Sequence, residues 1–91
     1  MTADPVRLAL SRDEALVLHE WLARVVDEEN GEEIAHTVES DAEIWALEAL
    51  RILLEQALPE AFAETSEKAL KAAAKRIVTA NGPWAAADDK G

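Results

Sequence analysis

Several residue types are rare or absent in this 91-residue chain, and each absence excludes a kind of protein or site. Cysteine is absent, so disulfide bonds and thiolate metal sites are excluded, as is usual for proteins of a reducing cytoplasm. Tyrosine is also absent and phenylalanine occurs once, whereas aliphatic residues and alanine are abundant. This balance favours helices over sheets, and we expect an all-α protein.

Long apolar runs and balancing basic charge are missing as well. No apolar run approaches the roughly 18 residues of a membrane span, and the first residues lack the basic start and apolar stretch of a signal peptide. The chain carries 19 acidic and 9 basic residues and a net charge of −10, which opposes binding to nucleic acid or to an anionic membrane. We therefore expect a soluble cytoplasmic protein with no direct nucleic-acid partner and no membrane partner.

Three amphipathic segments predict a small three-helix bundle domain for residues 11–82. A chain of this length supports one domain with a single small core. Residues 1–10 are predicted to form an extended N-terminal arm, and residues 83–91 a disordered C-terminal tail.

The arm carries a strand-like pattern, since Val6, Leu8 and Leu10 alternate with Arg7 and Ala9. It either lies across its own helices or pairs with a second copy or with the sheet edge of a partner. We favour the intramolecular arm, because isolated strand pairs are marginal in water.

The first helix is predicted to begin at Ser11, whose side chain forms a capping box with Glu14, and to continue to about Glu28. Asn30 and Gly31 end it, since both residues tolerate the left-handed conformation of a helix stop.

The second helix, from Ser40 to Leu58, is expected to be the central helix around which the chain is organised. Ser40 and Glu43 form a second capping box, and Pro59 ends the helix. Its core stripe is Leu47, Leu50, Leu54 and Leu58, widened by Ala46, Leu53 and Ala57.

A third helix starts near residue 65 or 66 and stops at Asn81-Gly82-Pro83. The connection at residues 32–39 is either one or two helical turns that carry Ile34 and Val38 inward, or a loop.

The inward faces of the first and third helices follow from the spacing of their apolar residues. The core stripes are Ala15, Leu18, Leu22, Val25 and Val26 in the first helix, and Leu70, Ala73, Ala74, Ile77 and Val78 in the third. Leu16 falls outside the first stripe, and its exposed side chain is either incidental, which is the commoner case, or part of a contact face shared with Val17. Phe62 is expected to plug the end of the bundle.

The central helix has a second apolar face roughly opposite its core stripe. This face consists of Trp45, Ala49, Ile52 and Gln56, and a narrow polar strip of Glu48, Arg51 and Glu55 remains. In so short a chain the face either packs on another helix of the same chain or binds another molecule. Burial in the monomer's own core is the commoner outcome for a residue such as Trp45; if the face is uncovered, it is the partner-binding site.

Eight carboxylates fall in one part of the chain without any compensating lysine or arginine. They are Asp27, Glu28, Glu29, Glu32, Glu33, Glu39, Asp41 and Glu43. This acidic surface is either a solvated connection that keeps the protein soluble, which is the simpler interpretation, or a surface that attracts a basic partner.

No arrangement of residues in the sequence supports catalysis or cofactor binding. Ser11, Ser40 and Ser66 lie where helices begin, so capping explains them without a nucleophile. Glu33 and His36 match the Glu-x-x-His spacing of carboxylate-bridged di-iron bundles, but such a site also needs inward carboxylates from other helices. We expect a protein that is not an enzyme and that holds no metal or other cofactor.

Parts of the chain resemble small uncharacterised bacterial all-helical proteins. The resemblance is carried by the segment Leu10-Ser11-Arg12-Asp13-Glu14-Ala15-Leu16-Val17-Leu18, by Trp21-Leu22, by Trp45-Ala46-Leu47, by Leu53-Leu54-Glu55, and by Leu58 and Phe62. It covers roughly residues 8–78 on the same helical periodicity. It implies a helical fold, and no activity, partner or functional residue.

The leading functional hypothesis is a small acidic protein-protein interaction module that self-associates or binds another protein through the face containing Trp45, Ala49 and Ile52. The alternative is an acidic inhibitor or immunity-type protein whose acidic surface masks the basic site of a nuclease or of a nucleic-acid-binding effector.

Overall fold

The structure is a computed structural model that describes residues 4–63 and 65–84. The described residues form three α-helices, namely α1 (Arg12–Leu22), α2 (Asp41–Ala57) and α3 (Ser66–Asn81). A π-helical segment (Ala23–Glu28) continues α1, and two 3₁₀ turns (Ala35–Thr37 and Pro59–Phe62) lie before and after α2. No described residue lies in a β-strand, so the predicted all-α fold class is confirmed.

The start and end of the first helical unit follow from local sequence. Ser11 and Glu14 form the predicted capping box, with each side chain accepting a hydrogen bond from the other's backbone N–H at 2.9–3.0 Å. The π-helical segment ends at Glu28, and the left-handed residues Asn30 and Gly31 follow it with φ angles of 53° and 73°. The N–H of Gly31 donates to the carbonyl of Val25 at 2.9 Å, which closes the stop.

The start of α2 differs from its prediction in one detail. The hydroxyl of Ser40 accepts from the N–H of Ala42 at 3.1 Å, so Ser40 is the N-cap. The carboxylate of Glu43 accepts from the N–H of Glu39 at 3.2 Å instead of from Ser40, and the N–H of Glu43 donates to the backbone carbonyl of Ser40, so the predicted capping box does not form. Extended backbone at Ser40 (φ −155°) accompanies this shift of the carboxylate to the preceding N–H. The end of α2 agrees with the prediction, because Leu58 leaves the helical region before Pro59.

The central helix of the fold is α1, and the prediction that α2 is central is wrong. Helix α1 packs against both α2 and α3, whereas no Cα atom of α2 lies within 8 Å of a Cα atom of α3 in the described chain. The buried core is correspondingly richest in residues of α1 and its π-helical continuation. The core consists of Ala15, Leu16, Leu22, Val25, Val26, Leu54, Leu58 and Ala73.

More residues of α1 are buried than its predicted core stripe contains. Leu16, expected to be exposed, is 7% exposed. It lies beside Ala61 and Leu70, because the turn after α2 and helix α3 cover a second side of α1. The stripe residues themselves are buried or, in the case of Leu18, half-buried.

On α2, by contrast, fewer residues are covered than predicted. Leu54 and Leu58 are buried and Leu47 and Leu50 are half-buried, as expected. The three residues predicted to widen the stripe, Ala46, Leu53 and Ala57, are exposed, with Leu53 at 63%. Within the described ranges α2 packs on α1, on its π-helical continuation and on the following 3₁₀ turn, and its Ile44 adjoins the turn at Gly31. A single side of this helix is covered.

Helix α3 packs through the predicted inward stripe, except at its last residue. Ala73 is fully buried, and Leu70, Ala74 and Ile77 are half-buried. Val78, predicted to point inward, is 56% exposed and lies in the last turn of the helix.

Two further predictions are wrong, namely the cap of α3 at Ser66 and the burial of Phe62 in the turn after α2. No side-chain hydrogen bond caps the N-terminus of α3, so Ser66 is not the cap that its position suggested. Phe62 is 66% exposed and is not a buried plug; its ring meets that of His19 edge-on, with the centroids 6.2 Å apart.

The described part of the predicted N-terminal arm, residues 4–10, does not lie across the helices, and residues 1–3 lie outside the described residues. Residues 4–10 have no helix or strand, and Val6 and Leu8 are 85% and 81% exposed. The favoured intramolecular position of the arm is therefore wrong. At the other end Pro83 and Trp84 follow α3 outside any helix, and the rest of the predicted tail, residues 85–91, lies outside the described residues.

The connection before α2 combines the two predicted alternatives. Turns are followed by one 3₁₀ turn (Ala35–Thr37), and Ile34 and Val38 on either side of it are half-buried.

Candidate functional site

The outer face of α2 is an uncharged helix surface that no other described element covers. We use this name for Ala42, Trp45, Ala46, Ala49, Ile52, Leu53, Gln56 and Ala57, all of which are exposed. At 100° per residue these positions span an arc of roughly 140°. The four residues of the predicted partner-binding face all lie on it, with Trp45 at 71% and Ile52 at 39% exposure. Trp45 is therefore not a core residue of the monomer.

Three charged residues of α2, Glu48, Arg51 and Glu55, are half-buried, whereas Asp41 and Glu43 in its first turn are exposed. Arg51 donates two hydrogen bonds of 2.8 Å to the carboxylate of Glu48 and one of 3.3 Å to that of Glu55. The bond from Arg51 holds the pKa of Glu48 below its ordinary value, and the bond to Glu48 raises the pKa of Arg51. The polar strip of the sequence is thus a half-buried ion-pair network, and apolar side chains face solvent instead.

Trp45 lies beside a cluster of carboxylates. A cavity of about 310 Å³ adjoins its indole, and Asp27, Asp41 and Glu48 line this cavity. Asp41 and Glu48, four residues before and three after Trp45, flank it on the same side of the helix. Asp27 comes from the π-helical segment, so tertiary packing brings it to Trp45.

The acidic surface is almost wholly exposed. Seven of its eight carboxylate residues are exposed, and Glu29 is half-buried with one carboxylate oxygen unpaired. Within the described chain, none of the eight forms an ion pair. Glu28, Glu29, Glu32 and Glu33 surround a cavity of about 500 Å³ at the turn that Gly31 permits.

The two predicted sites meet at one place. Asp27 and Asp41 belong to the acidic surface, and both line the cavity beside Trp45, which belongs to the outer face of α2. Asp41 and Trp45 lie on one helix, whereas Asp27 is far from both along the chain and joins them only in the folded protein. In the structure they form one continuous surface.

A groove between α2 and α3 was not expected from the sequence. It encloses about 610 Å³, and its walls include Arg51 and Glu55 from α2 and Leu70 from α3. His19 of α1 also lines it and is 7% exposed, and its Nε2 has no hydrogen-bond partner among the described residues. The only signal in the sequence was the position of His19 beside the apolar stripe of its helix.

The residues considered for chemistry are not gathered into a site. Glu33 and His36 are exposed, in a turn and in the first 3₁₀ turn, and the hydroxyls of Ser11 and Ser40 accept the capping hydrogen bonds. In the ranges that the structure describes, no three histidine or carboxylate side chains are grouped as metal ligands. Nor does any helix of those ranges have the length and apolar character needed to cross a membrane.

The outer face of α2 and the carboxylates beside Trp45 are therefore the candidate functional site. The arrangement offers an apolar contact surface with negative charge at one end, and no nucleophile or cofactor is needed for that role. None of the protein families, curated protein sequences or solved structures compared with this chain matches it.

Proposed function

We propose that this protein is a small non-catalytic interaction module of the cytoplasm that binds another protein, or a second copy of itself, through the outer face of α2. The observation that carries the proposal is the 71% exposure of Trp45 on a helix face that bears no charged residue. Contiguous exposed apolar surface marks interaction sites in soluble proteins, and tryptophan is enriched among the residues that dominate binding energy.

The packing of α2 supports the proposal. Its covered side already contributes Leu54 and Leu58 to the core, so Trp45, Ile52 and Leu53 are not required for folding. Surface substitutions away from packed features change stability by no more than about 0.5 kcal/mol. Trp45→Asp should therefore leave the fold intact while replacing the largest apolar side chain of the contact with a charge.

The test is an affinity capture from native cell extract with the wild type and with Trp45→Asp, after circular dichroism has shown the variant to be helical. Trp84→Asp is a matched control, because Trp84 is 78% exposed and lies outside the helices. We expect the wild type and Trp84→Asp to retain a partner or a second copy, and Trp45→Asp to lose it. Equal recovery by all three proteins would contradict the proposal, and loss of helicity in Trp45→Asp would remove the observation that carries it.

A second candidate function is an acidic inhibitor or immunity-type protein that masks the basic site of a nuclease or of a nucleic-acid-binding effector. The specific observation in its favour is that the acidic surface forms no ion pair within the described chain and is left available to a partner. Such binding should weaken as salt is raised, because exposed charge pairs are screened. It should also be abolished by Glu32→Lys with Glu33→Lys; binding that survives both changes would exclude this candidate.

A further inference from the structure

The outer face of α2 has the shape of a site for another helix. It is the surface of a 17-residue α-helix, about 25 Å long at 1.5 Å per residue. Ala42, Ala46 and Ala49 lie along it and permit close approach of a second backbone, and Trp45 and Ile52 project beside them. Side chains on such a surface form ridges and grooves that another helix can fill with residues spaced by three and four.

The charges around this face oppose a second copy as the occupant. The only basic residue of α2 is Arg51, which is already paired with Glu48 and Glu55. Two copies packed in parallel through α2 would bring these carboxylates together, and two antiparallel copies would set them against a helix that has no available cation. Like-charge contacts of this kind disfavour association, and each chain carries a net charge of −10.

The cavity beside Trp45 is complementary to a basic side chain. Asp27 and Asp41 are exposed carboxylates without an ion-pair partner in the described chain, and Val26 and Ile44 supply apolar wall. The stem of a lysine or arginine can pack on apolar surface while its charged end reaches carboxylates. Trp45 also lines the cavity, and a cation placed over the face of an indole gains a further cation-π contact.

We propose that the partner of the outer face of α2 is a basic amphipathic helix of another protein. Its apolar side packs on Ala49 and Ile52, and a basic residue near one end enters the cavity between Trp45, Asp27 and Asp41. This inference rests on the proposed function and specifies the chemistry of the partner. It makes the apolar face and the adjoining carboxylates two parts of one docking surface.

The test uses a synthetic 18-residue amphipathic peptide of leucine and lysine, with a leucine and glutamate peptide of the same pattern for comparison. The protein carries Trp21→Phe and Trp84→Phe, so that Trp45 is its only fluorophore. We expect the lysine peptide to bind and to shift the Trp45 emission to shorter wavelength, and the glutamate peptide to do neither. Raising the salt concentration should weaken the binding of the lysine peptide.

Two double variants with the same net charge distinguish binding at the docking surface from general electrostatic attraction to the acidic protein. Asp27→Asn with Asp41→Asn should weaken binding of the lysine peptide about tenfold. The control, Asp4→Asn with Glu67→Gln, also removes two exposed carboxylates, one of them in the first turn of a helix, and should leave affinity within about twofold. Circular dichroism verifies that both are helical.

Several results would overturn the inference. One is failure of the lysine peptide to bind. Another is equal weakening of its binding by the two double variants, which would indicate attraction to the net charge alone. A dimer of the protein that light scattering detects and Trp45→Asp abolishes would identify a second copy as the occupant and leave the proposed function standing. Equal capture of partners by wild type and Trp45→Asp would remove the proposed function itself.

Discussion

The guanidinium of Arg12 and the carboxylate of Glu60 form an ion pair through two hydrogen bonds, of 2.8 Å from Nε and 2.6 Å from Nη2. Nη2 of Arg12 also donates to the carbonyl oxygen of Ala57 at 3.2 Å, in the last turn of α2. The next residue, Asp13, accepts two hydrogen bonds from Arg76 of α3, at 2.7 and 2.8 Å. Hydrogen bonds thus link the first turn of α1 to α3, to the end of α2 and to the 3₁₀ turn after α2.

The Arg12 to Glu60 pair predicts a pH-dependent contribution to stability. The hydrogen bond from Arg12 lowers the pKa of Glu60 to about 2 in the folded protein. The ordinary pKa of a glutamate is 4.5, so the folded-state pKa is lowered. The stabilisation is therefore fully present at pH values above 4.5 and is lost as the pH falls toward 2. Glu60→Gln should lower the melting temperature at pH 7, and its difference from the wild type should shrink over this range.

The control for this prediction is the same substitution in an Arg12→Gln background. Without the guanidinium, Glu60→Gln should change the melting temperature little at any pH. Thermal unfolding followed by circular dichroism across the pH range measures the effect of Glu60→Gln on the melting temperature with and without Arg12. A difference that is independent of pH in the presence of Arg12 would contradict the assignment.

Leu16 and Leu53 should respond to alanine in the order opposite to that expected from sequence periodicity. Leu16 is 7% exposed and Leu53 is 63% exposed. Leu16→Ala should lower the free energy of unfolding by about 2–5 kcal/mol, because it opens a cavity in the core. Leu53→Ala should change it by no more than about 0.5 kcal/mol. Urea unfolding of the two variants tests this, and a larger loss for Leu53→Ala would mean that the outer face of α2 is covered.

Two serines at helix starts should differ in their importance for stability. The hydroxyl of Ser11 accepts a hydrogen bond of 3.0 Å from the N–H of Glu14, whereas no side-chain bond caps α3, which begins at Ser66. Ser11→Ala should cost about 1 kcal/mol of unfolding free energy, and Ser66→Ala no more than about 0.5 kcal/mol. Equal losses in chemical denaturation would show that Ser66 has a structural role comparable to that of the Ser11 cap.

Removal of residues 1–9 should leave the stability of the helical domain unchanged. Val6 and Leu8 are more than 80% exposed, and the cap residue Ser11 remains in the shortened chain. We expect the unfolding free energy of the shortened protein to lie within about 0.5 kcal/mol of that of the full chain. A larger loss would show that the arm packs on the helices in solution.

The candidate site was only partly accessible from the sequence. Periodicity correctly grouped Trp45, Ala49, Ile52 and Gln56 on one face, because their spacing depends on the helix alone. Whether another helix covers that face depends on the position of α1, and periodicity carries no information about it. For the same reason the prediction that α2 is the central helix was wrong, although α2 itself was correctly placed in the chain.

The sequence by itself determined the features that arise within a few residues. Composition sets the all-α class, the side chains of Ser11 and Ser40 start two helices, and the left-handed stop at Asn30 and Gly31 ends the first helical unit. Each depends on hydrogen bonds or backbone preferences between near neighbours.

Only the tertiary structure decided which apolar faces are buried and which charges meet. Leu16 is buried because α3 covers it, Trp45 is exposed because nothing in the described chain does, and Asp27 reaches Trp45 only when the π-helical segment packs beside α2. The Arg12 to Glu60 ion pair joins residues 48 positions apart. Such contacts depend on how the helices are placed relative to one another. Side-chain packing selects that placement from several arrangements that the amphipathic pattern of the sequence permits.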